Sequence, residues 1–109
     1  MEDLTKEQQK ILVSMYKQFL SKQPALSPED ANYFGNSDDM RDQYLPTTSS
    51  DYVSDLFWSL YRKGYVYCTK GEDLANEISL TDKTIVYMEN RFKNGFKEIA
   101  EFLANFLPF

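Results

Sequence analysis

The sequence predicts a chain of the α+β class that is mainly helical and carries one small β-hairpin. Over most of its length, apolar residues recur every three or four positions, which is the spacing that places side chains on one face of a helix. Two short segments, 65–69 and 77–80, instead have the composition and alternation of β-strands. The chain has 109 residues, of which 42% are hydrophobic, so we expect one modest core and a single domain over 1–109.

The first helix is predicted over residues 5–22. Thr5 and Gln8 have the spacing of a capping box, and Pro24 ends the helix because the residue before a proline avoids helical geometry. A wide apolar stripe along this helix predicts that it faces the core. The stripe consists of Ile11, Leu12, Met15, Tyr16, Phe19 and Leu20.

Two short helices are predicted next, over 28–34 and 38–44. Ser27 is a suitable cap for the first of them, because Pro28 then takes the first helical position, where a proline loses no hydrogen bond. Ser37 is expected to cap the second.

A longer helix is predicted over 50–63, with Ser49 or Ser50 as its cap and Gly64 as the residue that ends it. Its apolar positions follow the i, i+3, i+4, i+7 pattern and define an inner face. These positions are Val53, Leu56, Phe57 and Leu60.

The β-hairpin follows this helix directly. Residues 65–69 are rich in aromatic and β-branched side chains, and residues 77–80 alternate between polar and apolar. The polar segment 70–76, which contains a glycine, is predicted to be a loop. Thr81 is expected to cap a further helix over 81–93.

The combined pattern LYRKGYVYC … ISLTDKTIVYME resembles the winged-helix superfamily. There a recognition helix ends in a basic–glycine–aromatic–aliphatic run, a β-hairpin wing follows, and a Leu-Thr-acid-Lys segment opens the next helix. The pattern is similar to regulators of the MarR and PadR type and to small winged-helix proteins of Gram-positive bacteria and their phages. The resemblance implies a winged-helix domain with an added C-terminal helix, and a regulator that binds DNA, RNA or protein.

The charge distribution does not favour direct DNA binding. The chain has 12 basic and 17 acidic residues, a net charge of −5, and residues 24–55 alone hold seven acids against one base, Arg41. The outward side of helix 50–63 is formed by Asp51, Asp55, Trp58 and Arg62, which we call the interaction face. DNA affinity depends on Lys and Arg that neutralise phosphates, so the sequence predicts protein contacts at this face, with a protein partner of unknown identity.

Alternatives remain open for this surface. A DNA-binding regulator would use the helix and the wing, with Arg62, Lys63 and Lys70 as the contacts to phosphate or bases. A third candidate is an acidic protein that imitates nucleic acid and occupies another protein's binding site. Trp58 either anchors a partner, as tryptophan does at interfaces, or packs within its own domain.

The residue inventory does not favour enzymatic chemistry. The chain has no histidine and one cysteine, and it lacks the glycine-rich loops that bind phosphate. We therefore predict no catalytic residues, no metal site and no cofactor. Cys68 is expected to be a buried, inert thiol, and a single cysteine is typical of a cytoplasmic protein. The sequence has no run of about 18 apolar residues, so no membrane span is predicted.

The last helix is predicted over 95–107, after a break at Gly95. Its apolar residues continue a seam that begins before the helix, with successive members 4, 3, 4 and 3 positions apart. This is the spacing at which two helices pack together, so it predicts a homodimer. The seam consists of Phe92, Phe96, Ile99, Leu103 and Phe106, and Phe102, Leu107 and Phe109 widen it. The alternatives are that this helix packs on its own domain or lies on a membrane surface, for which its polar face has few basic residues.

Overall fold

A computed structural model describes residues 1–106 of the chain, which fall into two compact units. Unit 1 combines Met1–Ala31 with the residues from Ile85 onward, and unit 2 is Asn32–Thr84. Six helices and one two-stranded antiparallel sheet lie within the described residues, which confirms the α+β class. A single domain over 1–109 stays a prediction.

The bounds of the elements agree with the sequence pattern at most positions. The helices are α1 Lys6–Ser21, α2 Pro28–Ala31, α3 Ser37–Tyr44, α4 Ser50–Arg62, α5 Asp82–Arg91 and α6 Phe96–Ala104, and the strands are β1 Val66–Gly71 and β2 Leu74–Leu80. Within the described residues, no helix has both the length and the apolar character needed to cross a membrane.

In unit 1, α1 begins with the predicted capping box. The Thr5 hydroxyl accepts from the Gln8 N–H, and the Gln8 side chain accepts from the Thr5 N–H, both at 3.1 Å. Most of the predicted stripe is buried, and Leu20 is half-buried. Val13 and Ser14 are buried as well, so α1 is covered on more than one stripe.

The helix predicted over 28–34 is wrong beyond Ala31, because residues 32–35 leave the helix and hydrogen-bond to β2. The Asn32 side chain donates to the Leu80 carbonyl at 2.9 Å and accepts from the Leu80 N–H at 2.8 Å. Phe34 N–H donates to the Ile78 carbonyl, and Ile78 N–H donates to the Gly35 carbonyl, both at 2.9 Å. These long-range bonds satisfy the outer edge of β2, so residues 32–35 gain more there than in a further helical turn.

The loop predicted over 70–76 and the strand start at residue 77 are also wrong. β2 begins at Leu74, and the turn contains only Glu72 and Asp73, which have φ angles of 52° and 61°. Positive φ at both central residues is typical of the tight type I′ hairpin turn, whose twist matches that of paired strands. The polar composition suggested a long loop, whereas residues 74–76 pair with β1.

The predicted cap of the helix over 38–44 is one residue too late. Asn36 caps α3, since its side-chain oxygen accepts from the Asp39 N–H at 2.9 Å, and the Asp39 carboxylate accepts from the Asn36 N–H at 3.1 Å. Ser37 is buried inside the first turn, and its hydroxyl has no hydrogen-bond partner. Asn is as good a cap as Ser, so composition alone does not distinguish the two positions.

The core of unit 2 lies between α4 and the hairpin. All four inner-face residues of α4 are buried, as predicted, and so are Val66, Ala75, Ile78 and Leu80 of the sheet. At the end of α4, Gly64 has a φ of 85°, its N–H donates to Tyr61, and the Tyr65 N–H donates to Leu60. This pair of bonds is a Schellman motif, which directs the chain from the helix into β1.

Candidate functional site

The interaction face is positioned by the burial of the opposite side of α4. Successive helical residues are rotated by about 100°, so the four buried apolar positions leave a stripe of four polar or aromatic residues on the far side. Asp51, Asp55 and Arg62 are exposed on this stripe, and Trp58 is half-buried. The helix that carries them is held at its start by the Ser49 cap, whose hydroxyl accepts from the Tyr52 N–H at 3.1 Å.

The interaction face is bordered by exposed tyrosines that the sequence analysis did not select. The Trp58 ring meets Tyr61 edge-to-face, with centroids 5.5 Å apart and an interplanar angle of 87°. Tyr61 is 44% exposed and Tyr52 is 49% exposed. Both flank the interaction face on the helical wheel, and this position was the signal in the sequence that could have identified them. The stripe is therefore bordered by partly exposed aromatic rings, a composition favoured at protein interfaces.

Acidic residues dominate the start of α4 and the neighbouring α3. Arg41 forms salt bridges with two of these acids, at 3.2 Å from Asp42 and 3.9 Å from Asp38. The Ser50 hydroxyl donates to the Asp38 carboxylate and ties α3 to α4. Neither Asp51 nor Asp55 has a cation within 4 Å in this part of the chain. Within residues 1–106, the acidic end of the interaction face is therefore not neutralised.

No group of three or more potential metal ligands converges among the described residues. Asp38 and Asp42 are instead engaged by Arg41. Cys68 is buried in β1, and burial raises the pKa of its thiol, which keeps it in the unreactive protonated form.

The predicted DNA contacts are only partly brought together. Arg62 is exposed and Lys63 is half-buried at the end of α4. β1 follows α4 and begins at Val66. Lys70 lies about 13 Å further along this strand, away from the end of α4 that carries Arg62 and Lys63. The basic neighbour of Lys63 is instead Lys83, whose ammonium donates to the Lys63 carbonyl at 3.1 Å and lies 4.5 Å from the centre of the Tyr65 ring. Lys83 was missed because the sequence does not show that α5 begins beside the end of α4.

The predicted dimerisation seam is unevenly exposed. Phe92 and Ile99 are buried within the chain, at 3% and 0% exposure, and Phe92 contacts Phe102 edge-to-face at 5.6 Å. Phe96 is 49% exposed, whereas Leu103 and Phe106 are half-buried. Leu107 and Phe109 lie outside the described residues. Dimerisation through α6 stays a prediction, carried mainly by Phe96.

Unit 1 also contains an open cavity of about 310 Å³. It is lined by Met1, Glu2, Gln9, Tyr87, Arg91 and Phe102. The guanidinium of Arg91 lies 4.9 Å from the Phe92 ring centre and 5.6 Å from that of Phe102, so cation–π contacts hold it at the wall. The size is at the lower limit of small-molecule sites.

Comparison with known proteins finds no matching family model, no similar curated protein and no similar solved structure. The function of the chain is therefore inferred from its own residues, and the interaction face on α4 is the site at which charge, aromatic side chains and exposure coincide.

Proposed function

We propose that the chain is a small, non-enzymatic regulatory protein of winged-helix type, which acts through protein contacts made by the interaction face. The observation that carries the proposal is the chemistry of that face. Asp51 and Asp55 are exposed at one end of the face, and among the described residues no cation lies within 4 Å of either. The half-buried Trp58 lies near the middle of the face. Tryptophan at the centre of a surface, surrounded by groups that exclude water, is the usual composition of an interaction hot spot.

The order of the elements supports the winged-helix assignment. α3, α4, the β1–β2 hairpin and α5 follow one another as the resemblance in sequence implies, with α4 in the place of the recognition helix. The hairpin would be the wing, and its tight turn gives it a narrow tip of Glu72 and Asp73. Both tip residues are acidic, which is unfavourable for a wing that contacts phosphates.

DNA binding is the second candidate, and one observation favours it. Arg62, Lys63 and Lys83 gather at the C-terminal end of α4 and form a basic cluster. Recognition helices, however, contact bases with their N-terminal residues, which are acidic in α4. The third candidate, an acidic imitation of nucleic acid, would use the same aspartates against a basic protein.

Titration with random duplex DNA separates the first two candidates. We expect no binding tighter than micromolar at about 0.15 M salt, because few phosphates can be neutralised. Fluorescence polarisation of a labelled duplex provides the measurement. A sub-micromolar affinity that falls steeply with salt, and that is lost in an Arg62→Ala and Lys83→Ala double variant, would establish the DNA-binding candidate instead.

Trp58→Ala tests the role of the interaction face itself. A half-buried side chain contributes less to stability than a core residue, so the melting temperature should fall only slightly, while capture of a protein partner from cell extract should weaken. Tyr67→Ala is the matched control, since Tyr67 is an aromatic residue 62% exposed on the hairpin. A loss of stability of about 3 kcal/mol or more in Trp58→Ala would mark Trp58 as core and remove the centre of the proposal.

A further inference from the structure

The interaction face has a spacing that reads the same in both directions along α4. Asp51, Asp55, Trp58 and Arg62 are separated by steps of four, three and four residues, so the stripe is symmetric about its midpoint between Leu56 and Phe57. Alternating steps of four and three are also the spacing of the seam between two helices in a coiled coil. The stripe therefore has the geometry needed to meet a second copy of itself.

The charges on the stripe determine the direction of such a pair. In a parallel pair, Asp51 would meet Asp51 and Arg62 would meet Arg62, which places like charges together. In an antiparallel pair, Asp51 lies opposite the partner's Arg62, and Asp55 lies opposite the partner's Trp58. A two-fold axis then forms each contact twice. The stripe is self-complementary in charge only when the two helices run in opposite directions.

The single chain leaves these charges uncompensated. Among the described residues, no carboxylate lies within 4 Å of the Arg62 guanidinium, and no cation lies that close to Asp51 or Asp55. The two aspartates are four residues apart on one helix face, where like charges repel and destabilise the helix. A second copy would bring a guanidinium to each acidic end.

We infer that the partner of the interaction face is a second copy of this chain, held by an antiparallel α4–α4 pair about a two-fold axis. This inference rests on the proposed function and names the partner of the same site. A uniformly basic partner fits less well, because it would place a positive charge against Arg62 as well as against the aspartates.

One flank of the stripe fits the same arrangement. The large, exposed Tyr52 and the small, half-buried Ser59 share this flank of the helix. Two-fold symmetry brings equivalent flanks together, so Tyr52 lies near the partner's Ser59 on this side. On the other flank Tyr61 is exposed, whereas Ser54 is buried within its own chain at 5% exposure.

The pair is expected to be weak and sensitive to salt. α4 has 13 residues and is about 20 Å long. A pair of such helices buries less surface than the roughly 1,200–2,000 Å² of a standard interface. Its ion pairs are exposed, and salt screens such pairs. The dimer should therefore form at high protein concentration and low ionic strength.

A charge-swap series tests the inference by sedimentation equilibrium, from about 10 μM to about 1 mM protein at about 0.05 M salt. Asp51→Arg and Arg62→Asp should each weaken dimerisation about tenfold or more, because each change replaces two symmetric attractions by repulsions. The double variant that carries both changes should recover the wild-type affinity to within about threefold, since the opposite charges meet again with their signs exchanged. Asp51 and Arg62 are eleven residues apart, about 16 Å along α4, and cannot contact each other within one chain, so recovery in the double variant indicates a contact between two copies.

Glu101→Arg is the matched control for Asp51→Arg, because it makes the same change of net charge, +2, at an exposed position of α6 and should leave the dimer unaltered. Trp58 emission gives a second readout: it should shift to shorter wavelength as the wild-type concentration rises, and the shift should be smaller in Asp51→Arg. Melting temperatures of all variants establish that each is folded before it is compared.

Three results would overturn the inference. The wild-type chain could remain monomeric at about 1 mM. The double variant could fail to recover, or Phe96→Ser could abolish a dimer that the charge changes leave intact, which would assign the contact to α6. None of these results affects the proposed function, which fails separately if the chain binds duplex DNA tightly or if Trp58→Ala behaves as a core variant.

Discussion

Unit 1 and unit 2 are similar in size of core but differ in charge and in aromatic composition. Unit 2 has nine acidic and five basic residues, whereas unit 1 has eight and seven. Six of the eight phenylalanines belong to unit 1, and six of the eight tyrosines belong to unit 2, together with the single tryptophan. Tyrosine and tryptophan combine an apolar ring with a polar group and are favoured at wet interfaces, whereas phenylalanine is favoured in cores.

This difference separates packing from recognition along the chain. The rings of unit 1 contact one another, as in the edge-to-face pair of Phe92 and Phe102. Several tyrosines of unit 2 are exposed instead, and Tyr52 and Tyr61 border the interaction face. We therefore expect substitutions in unit 1 to act mainly on stability, and substitutions on the outer side of unit 2 to act mainly on binding.

The largest expected effect comes from removing a core ring of unit 2. Phe57 is 0% exposed, so Phe57→Ala should lower the free energy of unfolding by about 3–5 kcal/mol through the cavity it leaves. Ile99→Ala is the counterpart in unit 1, also at 0% exposure, with an expected loss of about 2–5 kcal/mol. Urea denaturation followed by Trp58 fluorescence reports on unit 2, and far-ultraviolet circular dichroism reports on the helices of both units.

The two probes also show whether the two units unfold separately or together. A transition of Trp58 that is unchanged in Ile99→Ala would show that the units unfold separately, and a common shift would show one cooperative transition. A loss below about 1 kcal/mol for Phe57→Ala would contradict its assignment to the core.

The next effect concerns residues 32–35 at the start of unit 2. Asn32→Ala removes both hydrogen bonds to the Leu80 backbone and leaves a part-buried N–H and carbonyl without their partner. We expect a loss of about 1–3 kcal/mol in the free energy of unfolding. Asn90→Ala, at an exposed position of α5 in unit 1, should change stability by less than about 0.5 kcal/mol. Equal effects of the two variants would show that residues 32–35 do not stabilise β2.

A pair of glycines gives a smaller contrast. Gly35 in unit 2 and Gly95 in unit 1 have φ angles of 77° and 73°, so alanine is strained at both, by about 1 kcal/mol or more. A Cβ at Gly35 would also collide with the Asp39 carboxylate, whereas one at Gly95 meets no atom within 4 Å. Gly35→Ala should therefore cost about 1 kcal/mol more, because the collision displaces the carboxylate that completes the cap of α3.

A double-mutant cycle with Asp39→Ala isolates that collision. Once the carboxylate is absent, Gly35→Ala should cost no more than Gly95→Ala, as measured by thermal or urea denaturation. An extra cost that persists without Asp39 would mean that the strain of Gly35 lies in the backbone alone.

The last expected effect is confined to alkaline pH. Burial raises the pKa of Tyr44 in unit 2 to about 12, above its ordinary value of 10.0. The unfolded chain then releases this proton at lower pH than the folded chain, so the contribution of Tyr44 is complete below pH 10 and is lost as the pH rises toward 12. Tyr44→Phe should flatten the fall of stability over this range, as measured by urea denaturation.

Tyr16 of unit 1 provides the comparison. Burial raises the pKa of its phenol, and the charge of Glu89 raises it further. Tyr16→Phe should therefore flatten the alkaline loss in the same direction but to a smaller extent. A steeper alkaline loss in either variant would contradict the assigned direction of the pKa shift.

Much of the helical structure could be predicted from the sequence, because its signals are local. The Thr5–Gln8 capping box, the inner face of α4 and the turn at Gly64 each depend on residues within one or two helical turns. The four members of the interaction face follow from the same periodicity, since an outer face is fixed once the inner face is known. Local periodicity therefore specifies most of the helices and the four residues of the interaction face.

The features that depend on distant partners are set by the folded structure and have no local signal. The bonds of Asn32 to Leu80 join residues 48 positions apart, and no local pattern shows that such an edge is available. The approach of Lys83 to Lys63, the half-burial of Trp58 and the covering of Phe92 and Ile99 are likewise set by packing between separate elements. The physical reason is that periodicity defines which side of a helix is apolar, whereas contacts with other segments of the chain determine how much of that side remains exposed.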